Sequence, residues 1–189
     1  MVTLLVVSDA HIPDRAFEVP RELEELIESR TPFPVVIYAG DFTGHQFFER
    51  VKSWGRRLVA VAGNMDFLDL PETQVISIEG VRIGVVHGDQ VWPRGCVPKL
   101  TRIARRLGVQ VLVSGHTHSP FIEVHEGVIH LNPGSLTGVP SGGGGSLIPS
   151  AMIVEVGGGE MVVELYEVPE EGKLVLSRRE RFVVAPVEA

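Results

Sequence analysis

Cysteine is all but missing. Cys96 stands alone in 189 residues, so no internal disulfide can form and the chain suits a reducing compartment. Asparagine is nearly as scarce: Asn64 and Asn132 are its two occurrences. That thrift suits thermal durability and makes each remaining asparagine a position of specific need. No apolar stretch reaches the roughly 20 residues that cross a bilayer. Met1-Val2-Thr3-Leu4 enters an apolar run directly, with no basic segment or cleavage site, so we expect no signal peptide, no membrane insertion and a cytoplasmic location. Positive charge is in deficit, with a formal net charge of -7, which argues against a broad nucleic-acid surface. Small phosphorylated ligands stay open, because a metal site brings its own local positive charge.

What the chain does have is a set of apolar runs, each ending in a metal-competent side chain. Val2 to Val7 leads to Ser8-Asp9-Ala10-His11, and Val35 to Ala39 leads to Gly40-Asp41. Leu58 to Ala62 leads to Gly63-Asn64, Val81 to Val86 to His87-Gly88, and Val109 to Val113 to Ser114-Gly115-His116-Thr117-His118. Runs rich in Val, Ile and Leu without polar alternation read as strands buried on both faces. In open sheets, ligands gather beyond the carboxyl ends of the strands. Taken singly, Asp-x-His is an ordinary loop cap, Gly40-Asp41 a turn and Asn64 an Asx-turn residue. Five such motifs at five strand ends are hard to obtain by chance.

The remaining pattern is βα repeats followed by a strand-rich end, in a length that suits one domain over residues 1–189. Val19, Leu23, Leu26 and Ile27 share a helical face, with Pro20 in the first turn. Leu100, Ile103, Ala104 and Leu107 repeat that spacing between Pro98 and a Gly108 C-cap, while Arg102, Arg105 and Arg106 form a solvated face. Phe121 to Val124 and Val128 to Leu131 read as a hairpin around Glu126-Gly127. Ala151 to Val156, Met161 to Val168 and Lys173 to Val184 read as further strands that make a second sheet stacked on the first. The glycine run Ser141 to Ser146 is a loop between structured flanks.

A centre of two metals needs a bridging carboxylate, terminal ligands and open positions for water and substrate, and this residue set can supply all three. Mixed oxygen and imidazole donors suit Mn, Fe, Zn, Co or Ni more than Ca. Metallo-β-lactamase chemistry wants an Asp where Pro120 stands, and amidohydrolase barrels place His-x-His after the first strand, not late. Neither pattern fits.

In order and spacing, Asp9-x-His11, Gly40-Asp41, Gly63-Asn64-x-Asp66, His87-Gly88 and Gly115-His116-x-His118 resemble the motifs of calcineurin-like metallophosphoesterases. The resemblance runs from Val2 to about Val168 and includes Asn132-Pro133-Gly134-Ser135. It is close to the small prokaryotic phosphodiesterases and, through His11-Ile12-Pro13, Ile148-Pro149-Ser150 and the stretch from His87 to Pro93, to the small phosphoesterase-fold subunit of the retromer coat. It implies an α/β fold of four layers, αββα, with two stacked mixed sheets. It also implies that Asp9, His11 and His118 hold one divalent ion, that Asn64, His87 and His116 hold a second, and that Asp41 bridges them. Asp41, Asn64 and His116 would then be the catalytic positions around a bridging hydroxide that attacks phosphorus in line. Mn is the expected ion, with Zn, Fe, Ni, Co or Mg as others of the family.

Met65 departs from the pattern of the family's phosphomonoesterases and protein phosphatases. They carry His there to protonate the leaving oxygen, and a thioether has no proton to give. Loss of a general acid costs ~10²- to 10⁴-fold, so small phosphodiesters and acidic leaving groups are the expected substrates. Asp66 is expected to cap a turn, and His45 to be a surface residue at a helix start. The retromer subunit has Asn, Asp and Phe in place of Asp41, Asn64 and Met65, so this chain keeps the catalytic pattern at two of the three positions. The likeness still carries a second reading, a scaffold with a protein partner or a homo-oligomer. Trp92-Pro93, Val139-Pro140 and Leu147-Ile148-Pro149 are the apolar segments that such a role would use.

Overall fold

The five apolar runs form strands covered on both faces, each shorter than or equal to its run. In the computed structural model, which describes residues 1–187, the elements follow in order as β1 (Val2–Val7), α1 (Arg21–Arg30), β2 (Val35–Tyr38), α2 (His45–Ser53), β3 (Leu58–Ala60), β4 (Thr73–Ile78) and β5 (Val81–Val86). They continue as α3 (Val97–Leu107), β6 (Val111–Val113), β7 (Phe121–His125), β8 (Val128–Asn132), β9 (Ser150–Gly157), β10 (Glu160–Glu170) and β11 (Lys173–Val183). Glu188 and Ala189, which the expectation of one domain over 1–189 includes, lie outside the described residues.

The strands form two mixed sheets, ordered β11-β10-β9-β1-β2-β3 and β4-β5-β6-β8-β7. In the first, β1 runs parallel to β2 and antiparallel to β9, so that Leu4 faces Val35 on one side and Val154 on the other. In the second, β5, β6 and β8 are parallel, with β4 and β7 antiparallel at the edges.

Alternate residues of each central strand serve different layers. Leu4, Val6, Val35 and Ile37 point between the sheets and meet Ile83, Val85, Val111 and Val113. Leu5, Val7, Val36 and Tyr38 point the other way, onto Leu23 and Ile27 of α1 and Phe47 and Val51 of α2. Val86 and Leu112 pack under Leu100 and Ala104 of α3. The αββα layering is therefore present. The helix ends also follow the sequence: Pro98 sits in the first turn of α3, and Gly108 ends it in the left-handed conformation at φ 65°.

One expectation is corrected. The strand-rich end does not make a separate second sheet: β9, β10 and β11 extend the first sheet from the free edge of β1, while β7 and β8 join β5 and β6. Periodicity reports which face of a strand is buried, not which edge it will pair with. The sequence also left β4 unread, an edge strand along which exposed and more buried residues alternate, so that one face is open to solvent.

Candidate metal centre

The polar side chains of interest follow β1, β2 and β3 of one sheet and β5 and β6 of the other, so the stacking of the sheets closes the site. Six non-glycine residues there, Asp9, His11, Asp41, Thr43, His116 and His118, hold left-handed backbone conformations with φ from 49° to 69°. Such conformations cost on the order of 1 kcal/mol each and persist where surrounding structure over-determines them. They turn the chain sharply after β1, β2 and β6, and this is how both rings of His116-Thr117-His118 reach the same cleft. Gly115 is required by close approach, because a Cβ there would lie 2.3 Å from Ser8 Oγ and 2.5 Å from Asp9 Oδ2.

All seven side chains singled out by the sequence meet in this cleft. One ligating atom each from Asp9, His11, Asp41 and His118 lies within 4.8 Å of the others, and Asp41, His87 and His116 form a second such group. Asp41 belongs to both. Its Oδ1 accepts the Met65 backbone N–H at 2.8 Å, while its Oδ2 lies 3.3 Å from His11 Nε2 and 3.2 Å from His87 Nε2. Asn64 joins the second group through Oδ1, 2.9 Å from His87 Nε2. Asp9 and Asp41 are buried.

The donor chemistry fits cations. His87 Nδ1 donates to the Ala39 carbonyl and His118 Nδ1 to the Val139 carbonyl, each at 2.6 Å. Those contacts turn both Nε2 atoms inward. His87 Nε2 then faces other acceptors: Asn64 Oδ1, Asp41 Oδ2 and, at 3.1 Å, His116 Nδ1. Asp9 Oδ2 accepts the Ser8 hydroxyl at 2.6 Å and the His116 backbone N–H at 3.0 Å. Asp9 Oδ1, although buried, has no hydrogen-bond partner, and it points toward His118 Nε2 at 3.3 Å. Carboxylate, amide and imidazole acceptors converging on one small space call for positive charge, which the proton on His87 supplies until cations replace it.

Titration behaviour points the same way. Burial opposes a charge on His87, but the Asp9 and Asp41 carboxylates outweigh it and push its pKa up to about 9. Burial, reinforced by the His87 ring and the Arg94 guanidinium, pushes His116 down to about 4. Burial alone would raise Asp41, yet the His87 ring and the Met65 N–H hold it below the ordinary carboxylate value. His11 is lowered by burial against the pull of both carboxylates.

Of the residues that support these ligands, Thr137 alone carried no sequence signal. The Asp66 carboxylate accepts three backbone N–H groups, from Asp41 at 2.8 Å, Thr43 at 3.0 Å and Gly63 at 2.9 Å. It therefore ties two strand-end loops together, more than the single turn expected of it. Ser135 Oγ and Thr137 Oγ1 donate to the carbonyls of Asp9 and Ala10, each at 2.7 Å. Asn132 Nδ2 donates to the Gly115 carbonyl at 3.0 Å and to Thr117 Oγ1 at 3.1 Å, so the second of the two asparagines holds the His-x-His turn. His45 opens α2 as an exposed residue beside Glu49, outside the cleft.

Two mixed sheets between helices, with buried carboxylates and imidazoles at one shared edge, define a metallohydrolase-type α/β protein. The model of the calcineurin-like phosphoesterase superfamily domain matches residues 2–158, and the chain belongs to that superfamily. A probable metallophosphoesterase of Methanocaldococcus jannaschii is 42% identical over 132 residues, 70% of this chain and 67% of that protein. Another, from Methanothermobacter thermautotrophicus, is 36% identical over 163 residues, 85% of this chain and 89% of that one. Among solved structures, Vps29 of Entamoeba histolytica complexed with Zn+2 superposes with a TM-score of 0.83 at 31% identity, covering 96% of this chain and 98% of that one.

Proposed function

We propose that the protein is a binuclear metal-dependent phosphodiesterase acting on small phosphodiesters in the cytoplasm, with residues 1–189 working as one domain. The observation that carries this reading is Asp41, whose Oδ2 stands between the His11 and His87 rings and belongs to both donor groups. Asp9, His11 and His118 would hold one divalent ion and Asn64, His87 and His116 the other, with Asp41 between them. Mn is the expected metal, and Zn, Fe, Ni, Co or Mg suit the same donors. Bound there, two such ions would lower the pKa of water toward ~7 and offset the charge of a phosphate.

The chain's own residues do the rest. Ser8, Asp66 and the backbone N–H groups of Met65 and His116 hold the two carboxylates in one orientation. Overall, water adds to phosphorus, the bond to one ester oxygen breaks, and that oxygen takes a proton as the alcohol leaves. Met65 lines the cleft beside Asn64 and supplies no such proton. Solvent has to, so acidic leaving groups are favoured and alkyl phosphate monoesters disfavoured. Purified protein loaded with Mn²⁺ is expected to hydrolyse bis(p-nitrophenyl) phosphate, and Asp41→Ala to abolish turnover. Turnover that survives this change would sink the assignment.

A second reading, a protein-interaction scaffold, is favoured by a specific surface. Leu147 is 62% exposed and lies with Pro149 and Val168 along a 950 Å³ groove rimmed by Glu18, Glu22 and Glu170. Two bound ions with no turnover across a panel of diesters would select this reading.

A further inference from the structure

Next to the metal cleft lies a second space that the ligand set does not use. The cleft itself has 130 Å³ between His11, Asn64, Met65, His116 and His118. The neighbouring cavity has 570 Å³, within the ~300–1,000 Å³ of small-ligand sites, and is walled by Trp92, Pro120 and Phe121. Both spaces are lined by Arg94, Ser141 and Gly142, so they meet at the Arg94 side chain.

Trp92 is 72% exposed. Its segment is nonetheless held in place. Lys99 Nζ donates to the Trp92 carbonyl, and Gly95 lies so close to the His-x-His turn that a Cβ would stand 2.8 Å from Thr117 Cγ2. With its backbone held there, an indole that lines the same cavity as Phe121 offers a wall for a flat ring.

Arg94 is the charge in that space. Its one hydrogen bond among the described residues is a long one, Nη1 to the His116 carbonyl at 3.4 Å, which leaves most of its donors free. It lies along the glycine run: a Cβ on Gly142 would stand 2.8 Å from Nη2, and one on Gly143 3.2 Å from Cδ. A planar guanidinium offers paired donors to two phosphoryl oxygens.

Resting on the phosphodiesterase reading above, we propose that this cavity seats the non-leaving arm of the substrate, that the arm is a planar aromatic or heteroaromatic group, and that Arg94 clamps the phosphoryl oxygens between arm and metals. A monoester would leave the cavity empty, and a diester fills it. The glycine run then has a steric purpose, since a side chain at position 142 would displace the clamp.

The test compares phenylphosphonate with methylphosphonate, which share the charged head and cannot be hydrolysed, by calorimetric titration into the Mn²⁺-loaded protein. Phenylphosphonate is expected to bind roughly tenfold more tightly, with a change in Trp92 emission. Trp92→Ala should close the gap between the two ligands. Arg94→Ala should weaken both by a similar factor, and Gly142→Val should reproduce that loss through displacement of the guanidinium. Equal affinity of the two phosphonates for the native protein, or a preference that survives both Trp92→Ala and Phe121→Ala, overturns the proposal even where diesters are hydrolysed. An intact phenyl preference in a protein that hydrolyses no diester overturns the phosphodiesterase reading and leaves the aromatic site standing.

Discussion

Asp66 shows how much a site depends on residues that never face its contents. With three backbone N–H groups donating to it, the carboxylate holds the loop after β2 against the loop after β3. One of the amides it holds is that of Asp41, the residue common to both donor groups. Hydrogen bonds to a charged acceptor are worth about 1.5–3 kcal/mol each when removal leaves the partner buried, and supporting contacts around a metal site typically carry 10- to 100-fold in affinity or activity. On the phosphodiesterase reading, Asp66→Ala is therefore expected to lower diesterase turnover by roughly 10- to 100-fold and to reduce the number of ions retained after dialysis. Asp66→Asn, which keeps one acceptor oxygen, should fall between the two. Metal analysis and turnover on the same preparations check this, and full occupancy with native turnover in Asp66→Ala would contradict it.

At the scale of elements, α3 is joined to β7 and β8 by a buried polar contact. Thr101 Oγ1 donates to the Val97 carbonyl at 2.9 Å and lies 2.8 Å from His130 Nε2 and 2.9 Å from His125 Nδ1. With its one proton spent, the hydroxyl accepts from both rings, which leaves His130 Nδ1 buried without a partner. Burial, helped by the nearby His125, pushes the His130 pKa down to about 4. The unfolded chain then binds a proton at a higher pH than the folded one does. Stability from this group is complete above about pH 6.5 and is lost as pH falls toward 4, by about 3 kcal/mol in all. Urea midpoints taken from pH 7 to pH 4.5 should drop less steeply for His130→Gln than for the native protein. Parallel slopes would show that His130 does not carry the effect. Elements also explain why edge strands depart from a core's pattern. Edge strand β4 buries only alternate residues, and β11 exposes most of its length, with Arg178, Arg179 and Arg181 along it. Charge on an edge strand discourages pairing with other chains, so its residues obey that need and not a core's periodicity.

At the scale of the whole molecule, the donors come from opposite sheets: Asp9, His11, Asp41 and Asn64 from the first, His87, His116 and His118 from the second. Cations bound between them would lock the layers together and relieve the repulsion of two buried carboxylates. Ligand held at 100 times Kd adds about 2.7 kcal/mol, which for a chain of this size raises Tm by roughly 5–10 °C. Mn²⁺ is expected to raise Tm by that amount and a chelator to reverse it, with release of the proton that His87 holds below pH about 9. A Tm indifferent to metal and chelator would remove the case for bound ions. The sequence by itself determined where the strands end and which side chains stand at those ends, because burial on both faces demands unbroken apolar runs and function places polar groups where they stop. It also marked Asn64 and Asn132 by rarity and Met65 by the missing proton. Only the tertiary structure decided that the two sheets share their strand-rich end, that Asp66 spans two loops, that the indole of Trp92 is exposed, and that Arg94 lies where the cleft and the cavity meet. Those facts depend on which edges pair and which loops touch, and contacts between distant segments leave no local periodicity to read.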